Sequence, residues 1–166
     1  AIIEGTNILK NKYIQTAQLD TEILMAKALG KDRKYIVLNN NKYLKDKNLK
    51  LFEKLINERA SKKPIAYLIN KKFFWNFEFF VTSDTLIPRP DTELIIEQIL
   101  KLTKHKSKIN ILDIGVGSGC ILLTILKERK NFYGTGIDIS KKSLDICKIN
   151  AKNLNVAKRV KYYKSD

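Results

Sequence analysis

The feature that most constrains the fold is a glycine-rich turn between an apolar strand pattern and a helical pattern. The segment INILDI leads into Gly115, Gly117 and Gly119, and a helix over about residues 119–128 follows directly. Two further strand patterns, FYGTGIDI and VKYYK, enclose a second helical stretch at Lys141–Asn153. Crossovers of about a dozen helical residues favour parallel strands connected in the right-handed sense. This part of the chain is therefore predicted to be a βαβαβ unit.

The position of the turn predicts a ligand site. Backbone amides and the positive end of a helix dipole meet there, at the carboxyl end of a strand. A dinucleotide fingerprint would have Gly or Ala three residues after its second glycine, but that position holds Cys120, which argues against NAD. A glycine turn alone also fits a plain connection from strand to helix. In this sequence Asp113 and Asp138 accompany the glycine turn, and together they favour a nucleotide-like cofactor.

Each acidic residue has a predicted partner on an adenosyl amino acid. Asp113 is expected to meet its ammonium group, and Asp138, at the end of the second strand, its ribose hydroxyls. Asp166 is expected to reach the adenine edge. The predicted cofactor-binding residues are those of the turn and the second-strand acid: Gly115, Val116, Gly117, Ser118, Gly119 and Asp138.

The amino-terminal part of the sequence has helical apolar spacing. In one helix Asp20 is the predicted N-cap and Gly30 the predicted C-terminal stop. A second helix is predicted from about Asp46 to Arg59. The apolar positions that we expect to be buried in these two helices are Leu19, Ile23, Ala26 and Leu29, and then Leu49, Phe52, Leu55, Ile56 and Ala60. Residues 1–70 are thus predicted to form a small helical bundle.

An aromatic, β-prone segment, KKFFWNFEFFV at residues 71–81, is predicted to be a hairpin with Asn76 near its middle. We expect its rings to pack rather than to stack on nucleic-acid bases. The segment TLIPRPDTE follows, and Asp91 is the predicted cap of a buried helix. That helix is expected to bury Leu94, Ile95, Ile99 and Leu102.

Several of these segments together resemble the release factor glutamine methyltransferases, also called the HemK or PrmC family. The similar segments are LDTEILMAKALGKDR, Arg59 with PIAYL, Phe74-Trp75, and above all LIPRPDTE before the glycine turn. The resemblance covers most of the chain, residues 19–166. Asn70 stands where the family usually has glycine, and Asn tolerates a positive φ better than most residues.

The resemblance implies an α/β methyltransferase that uses S-adenosylmethionine to methylate the glutamine of a Gly-Gly-Gln motif in peptide chain release factors. It implies a helical domain that docks the release factor (1–70), a hairpin linker (71–84) and the first half of a Rossmann-like domain (85–166). It also implies that residues 115–119 and Asp138 bind S-adenosylmethionine, with the Ile-Pro-Arg-Pro loop beside the reacting groups.

The family's Asn-Pro-Pro-Tyr motif, which holds the substrate amide, does not occur in this sequence. We therefore predict no catalytic residue within the chain and no activity for the chain alone, and we expect the first strand to have an unpaired edge. Two alternatives stay open: a methyltransferase acting on nucleic acid or another amine, and a non-catalytic basic module that docks on the translation apparatus.

Composition adds weaker constraints. With 32 Lys and Arg against 17 Asp and Glu, the formal charge is +15, which favours an anionic partner such as RNA or the ribosome. The codon usage of an AT-rich genome would produce the same excess of lysine, and the sequence leaves both explanations of the charge open. Cys120 and Cys147 lack partners at metal spacing, so neither a metal site nor a disulfide is predicted, and His105 is expected to be solvated. No membrane contact is predicted, and a reducing cytoplasm fits.

Overall fold

The structure, a computed structural model, describes residues 1–39 and 42–165. The chain divides into two compact units, Ala1–Ile69 and Asn70–Asp166. Within the described residues, no helix is both long and apolar enough to cross a membrane.

The first unit is a bundle of helices. Their bounds are α1 (Ile2–Asn11), α2 (Ala17–Leu29), α3 (Arg33–Leu38), α4 (Asp46–Ala60) and α5 (Ile65–Ile69). Helix α2 ends as predicted, because Gly30 adopts a left-handed conformation with φ 63°. Helix α1 was not predicted individually from the sequence, and Gly5 within it lowers helix propensity. A Cβ at Gly5 would lie 2.9 Å from the Phe52 ring, so the glycine allows two helices to approach closely.

The predicted apolar face of α2 is wrong in part. Leu19 is exposed, whereas Leu24 and Met25 are buried. The reason is that α2 packs against α1, α3, α4 and α5, so that almost every face of the helix is covered. The predicted face of α4 is correct, since its buried residues are Phe52, Leu55 and Ile56.

Asp20 is not an N-cap, which corrects the prediction. Helix α2 begins at Ala17, so Asp20 lies inside its first turn. Its buried carboxylate accepts a hydrogen bond from the Nε of Arg59 on α4 at 2.7 Å. Arg59 also donates from Nη1 to the Lys63 carbonyl oxygen at 3.2 Å. An ion pair between two helices therefore replaces the predicted cap.

The second unit opens with the predicted hairpin, formed by β1 (Lys71–Phe74) and β2 (Phe77–Phe80) in antiparallel pairing. Phe74 and Phe79 are buried and pack edge to face, with ring centroids 6.2 Å apart. Asn70, before the hairpin, has φ 57°, a positive angle that asparagine tolerates better than most residues. The hairpin turn contains Trp75, whose backbone N–H donates to Glu93 at 2.7 Å.

The α/β part of this unit has the predicted βαβαβ order. After α6 (Glu93–Leu102) come β3 (Asn110–Ile114), α7 (Cys120–Glu128), β4 (Tyr133–Asp138), α8 (Lys141–Asn153) and β5 (Val160–Lys164). The three strands are parallel in the order β3-β4-β5. Among the described residues β3 pairs with β4 alone, so its other edge is open as expected.

The helix after the Ile-Pro-Arg-Pro loop differs from the prediction. A 3-10 turn, Pro90–Thr92, precedes α6, and no side chain caps the helix, so Asp91 does not have its predicted role. Leu94, Ile95 and Leu102 are exposed, Ile99 is partly buried, and Ile96 is the buried residue of the helix. The buried face of the helix was predicted wrongly because Leu94, Ile95 and Ile96 are all apolar. Spacing alone does not show which of the three is buried.

One face of the sheet packs against α7. A Cβ at Gly134 would lie 2.6 Å from Cδ1 of Leu122 on α7, so a helix and a strand meet closely on this side. The opposite face exposes apolar side chains, namely Leu112, Ile114, Tyr133 and Tyr163. Strand periodicity and register place these four on the same side.

Arg159 fixes the connection between α7 and β4. Its Nη1 donates to the carbonyl oxygens of Arg129 and Phe132, at 2.8 and 2.9 Å, and its Nη2 donates to that of Leu126 at 2.6 Å. The carbonyl groups at a helix C-terminus lack partners within the helix and carry partial negative charge. A single guanidinium therefore closes the end of α7 and holds the start of β4 beside it.

We predict that the ion pair of the first unit is worth more than a surface pair. Arg59→Met leaves the Asp20 carboxylate buried without its partner, so the free energy of unfolding should fall by about 3–5 kcal/mol. The control is Lys63→Met, which breaks the more exposed pair with Glu58 and should cost about 0–1 kcal/mol. Urea unfolding followed by far-ultraviolet circular dichroism measures both, and equal losses would contradict the prediction.

Candidate functional site

The glycine turn continues the pairing of β3 with β4 beyond the end of the strand. The backbone N–H groups of Gly115 and Val116 both donate to the carbonyl oxygen of Ile137, at 2.8 and 2.9 Å. Gly115, Gly117 and Gly119 all have positive φ, at 78°, 53° and 82°. Only glycine adopts such angles readily, so the sequence dictates the path of the turn.

The three glycines have different surroundings. A Cβ at Gly119 would lie 2.6 Å from the Sγ of Cys147 and 2.7 Å from Leu123, so packing alone requires glycine there. A Cβ at Gly115 would meet nothing within 4 Å, and one at Gly117 only the Gly115 carbonyl oxygen at 3.8 Å. One side of the turn is therefore open. An open backbone at the carboxyl end of a parallel strand leaves room for a ligand.

Asp138 lies against this turn. It ends β4 and is 9% exposed. Its Oδ2 accepts from the backbone N–H of Gly117 at 2.9 Å, and its Oδ1 accepts from that of Ser140 at 2.8 Å. The structure thus brings the second-strand acid and the glycine turn together, as the sequence led us to expect.

Asp113 stands on β3, two residues before the turn. Burial raises the pKa of its carboxyl group, and the nearby Asp138 carboxylate raises it further. The backbone amide of Leu122, in the first turn of α7, opposes both effects by stabilising the carboxylate. Two carboxyl groups therefore flank the turn, and the electrostatics of this arrangement suit a ligand that carries a positive charge.

The remaining residues of the turn point inward. Val116 and Ser118 are buried, and the Ser118 carbonyl oxygen accepts a hydrogen bond from Nδ2 of Asn150 on α8 at 2.8 Å. Ser140 caps α8, because its hydroxyl oxygen accepts from the Ser143 N–H at 3.2 Å. Sequence reasoning missed Asn150. The sequence around an isolated polar residue of an amphipathic helix does not indicate which distant groups its side chain will hydrogen-bond.

The other residues singled out in the sequence are the two cysteines, His105 and Asp166. Burial raises the pKa of the Cys120 thiol to about 11 and that of the Cys147 thiol to about 12, so both stay protonated at neutral pH. His105 is exposed in the segment that follows α6. Asp166, the predicted adenine contact, lies outside the described residues. Within residues 1–39 and 42–165, no three His, Cys, Asp or Glu side chains gather as metal ligands would.

The Ile-Pro-Arg-Pro loop is joined to the same helix as the site. The hydroxyl of Ser143 on α8 donates to the Asp84 carbonyl oxygen at 2.9 Å, which holds the start of the loop. Within the loop Pro88 is buried, whereas Leu86 and Arg89 are exposed.

Comparison with known proteins yields two family models. The PrmC N-terminal domain matches residues 1–69, and a methyltransferase domain matches residues 105–166. A solved methyltransferase from Geobacter sulfurreducens, described as S-adenosylmethionine-dependent and in complex with S-adenosyl-L-homocysteine, is 32% identical with a TM-score of 0.40. That match covers 47% of this chain and 30% of the solved one.

Curated relatives match nearly the whole chain. The release factor glutamine methyltransferase of Buchnera aphidicola from Acyrthosiphon pisum is 37% identical over 96% of this chain and 57% of its own length. The protein of the same name from Leptospira interrogans is 38% identical over 98% of this chain and 58% of its own length. The chain thus spans a little over half the length of these relatives. The resemblance seen in the sequence is confirmed: nearly the whole chain is similar to part of the release factor glutamine methyltransferases, and its first 69 residues match the PrmC N-terminal domain.

Proposed function

We propose that this chain supplies the cofactor-binding half of a protein-(glutamine-N5) methyltransferase acting on the Gly-Gly-Gln motif of peptide chain release factors. The observation that most supports this proposal is the open glycine turn, in which the Gly117 backbone N–H donates to the Asp138 carboxylate. The curated relatives bear the name of this activity and align with almost all of the chain. S-adenosylmethionine, the proposed cofactor, supplies when bound a methyl group made electrophilic by its sulfonium.

The residues around the turn suit that cofactor. Asp113, which lies two residues before the turn and whose carboxylate is held by the Leu122 amide, would stabilise the ammonium group of the ligand. The positive end of α7 would suit the carboxylate of the ligand. Asp138 can accept hydrogen bonds from ribose hydroxyls. The turn residues Gly115, Val116, Gly117, Ser118 and Gly119 would surround the ligand with backbone.

The proposal leaves the acceptor side of the site to residues that this sequence does not contain. An amide nitrogen is a poor nucleophile because its lone pair is delocalised, so transfer depends on holding the carboxamide in line with the methyl group. The family's Asn-Pro-Pro-Tyr motif has that task and is absent here. We therefore propose cofactor binding, without methyl transfer, for the chain alone.

We further propose that the parts of the chain have the separate roles that the resemblance implied. The helical unit would dock the release factor, the hairpin at 71–84 would join the two parts, and residues 85–166 would form the first half of the methyltransferase domain. A cytoplasmic location follows from a role in translation.

For cofactor binding we predict a strong dependence on Asp138. Asp138→Ala removes a hydrogen-bond acceptor for the ribose and releases the Gly117 and Ser140 amides. The dissociation constant for S-adenosylmethionine in isothermal titration should rise at least tenfold, equivalent to about 1.4 kcal/mol. The matched control is Asp145→Ala, an exposed acid on α8 that pairs with Lys148 and should leave binding unchanged. Equal affinities for wild type and Asp138→Ala would contradict the assignment.

A second prediction concerns pH. The pKa of Asp113 is raised, so this group takes up a proton at a higher pH than an ordinary carboxyl, whose pKa is about 4. A cationic ammonium binds the ionised form. Affinity for S-adenosylmethionine should therefore fall as the pH decreases from neutral towards about 4.

Asp113→Asn tests the origin of that pH dependence. The variant should bind weakly at every pH and lose most of the pH dependence, because its side chain carries no charge. Its free energy of unfolding at neutral pH should equal or exceed that of wild type, since a charge that is costly to bury has been removed. An unchanged pH profile in the variant would show that another group titrates.

The substrate is tested on the full-length protein. Incubation with a release factor and methyl-labelled S-adenosylmethionine should place one methyl group on the Gly-Gly-Gln glutamine, as located by peptide mass spectrometry. A release factor with that glutamine changed to alanine is the control. Label recovered in ribosomal RNA instead would favour the alternative of a nucleic-acid methyltransferase, and tight RNA binding without cofactor would favour the docking module.

A further inference from the structure

Asn150 joins two parts of the second unit that are far apart in sequence. It is fully buried on α8. Its Nδ2 donates to the carbonyl oxygens of Phe80, at 2.9 Å, and of Ser118, at 2.8 Å. Its Oδ1 accepts from the Phe80 N–H at 2.7 Å. One side-chain amide therefore binds both backbone groups of a hairpin residue and one carbonyl group of the glycine turn.

The bond to Ser118 fixes a peptide group that could otherwise rotate. The carbonyl group of the peptide between Ser118 and Gly119 is held by Asn150, and its N–H donates to the Val116 carbonyl oxygen at 2.8 Å. Gly119 can adopt φ of either sign, so the backbone itself resists rotation weakly. Without Asn150 the buried Ser118 carbonyl oxygen would lose this hydrogen bond, which is unfavourable for a buried acceptor. Rotation towards the open side of the turn would relieve that cost.

A rotated peptide would disturb the proposed ligand site. The open side of the turn lies at the positive end of α7, where the backbone N–H groups suit an anionic group. A carbonyl oxygen turned into this space would occupy it and would repel a carboxylate. The orientation that Asn150 maintains is therefore the one that keeps the space available.

The bonds to Phe80 extend this restraint to the hairpin. The other end of the hairpin is also held, because the Trp75 N–H donates to Glu93 and the Trp75 Nε1 donates to Glu128 at 2.9 Å. Glu128 ends α7, which begins at the glycine turn. The hairpin is thus anchored at its turn and at its last strand residue to elements that form the site.

We infer that Asn150 is a positioning residue for the cofactor, which sets the Ser118 peptide in the orientation that the ligand needs and couples the glycine turn to the hairpin. This inference rests on the proposed function, because it takes S-adenosylmethionine as the ligand of the turn. Asparagine is the residue that meets the requirement. Aspartate has no donors for the two carbonyl oxygens, and glutamine is longer by one methylene in a fully buried position.

The test compares Asn150→Asp with Asn153→Asp, the same change at an exposed position of the same helix. Isothermal titration with S-adenosylmethionine is carried out at neutral and at lower pH, and each affinity is divided by that of wild type at the same pH. Asn150→Asp should bind at least tenfold more weakly at neutral pH, because a carboxylate would face two carbonyl oxygens. The ratio should recover at lower pH, since a protonated carboxyl can donate to one of them. Asn153→Asp should match wild type throughout.

A merely structural role would not give this result. Trp75 is the only tryptophan and lies in the same unit, so its fluorescence during urea unfolding shows whether each variant is folded under the conditions of the titration. Wild-type binding with a ratio near one for Asn150→Asp at both pH values would overturn the inference and leave the proposed function intact. Absence of binding by wild type would overturn both.

If Asn150→Asp does not fold, hydrogen exchange of the wild-type chain decides. Coupling is reciprocal, so a ligand at the turn must stabilise the hairpin bond as much as that bond stabilises ligand binding. S-adenosylmethionine should slow exchange of the Phe80 amide several-fold more than that of the Ile96 amide on α6. Equal slowing of the two amides would overturn the inference.

Discussion

The pairing of β3 with β4 is the interaction on which the site depends. In a parallel ladder the register is set residue by residue, and here it carries on past Ile114, where the Ile137 carbonyl oxygen accepts two turn amides. That shared acceptor brings the end of one strand and the start of the turn to the place where Asp138 can reach Gly117. A slip of one residue between the strands would turn Asp138 to the other face of the sheet and separate it from the turn. The position of the acid is thus a consequence of strand register.

Much of this arrangement could be predicted because it depends on local rules. The order of strands and helices followed from apolar spacing, and the parallel direction followed from the length of the crossovers. Gly30 was expected to end its helix and Asn70 to tolerate a positive φ, and both residues have positive φ in the structure. Asp113 and Asp138 were expected near the turn because the carboxyl ends of adjacent parallel strands share one edge of the sheet.

The predictions that failed concern side chains whose partners are distant in sequence. Asp20 could serve as a cap by every local criterion, but Arg59, 39 residues later, provides a stronger partner. Asn150 and Phe80 are separated by 70 residues, and no periodicity in either segment indicates the other. The buried face of α2 likewise depends on how many neighbours surround the helix. Such features arise from packing, which spacing along the chain does not encode.

The exposed apolar face of the sheet has a consequence for how the isolated chain behaves in solution. Leu112, Ile114, Tyr133 and Tyr163 present a surface that would favour self-association, beside a strand edge that can pair with another chain. The formal charge of +15 opposes this association by mutual repulsion between molecules. Salt screens charge beyond about 10 Å at 0.1 M. The repulsion between molecules therefore weakens as ionic strength rises, and self-association should increase. The lysine excess, whatever its origin, therefore acts as a solubilising element for this chain.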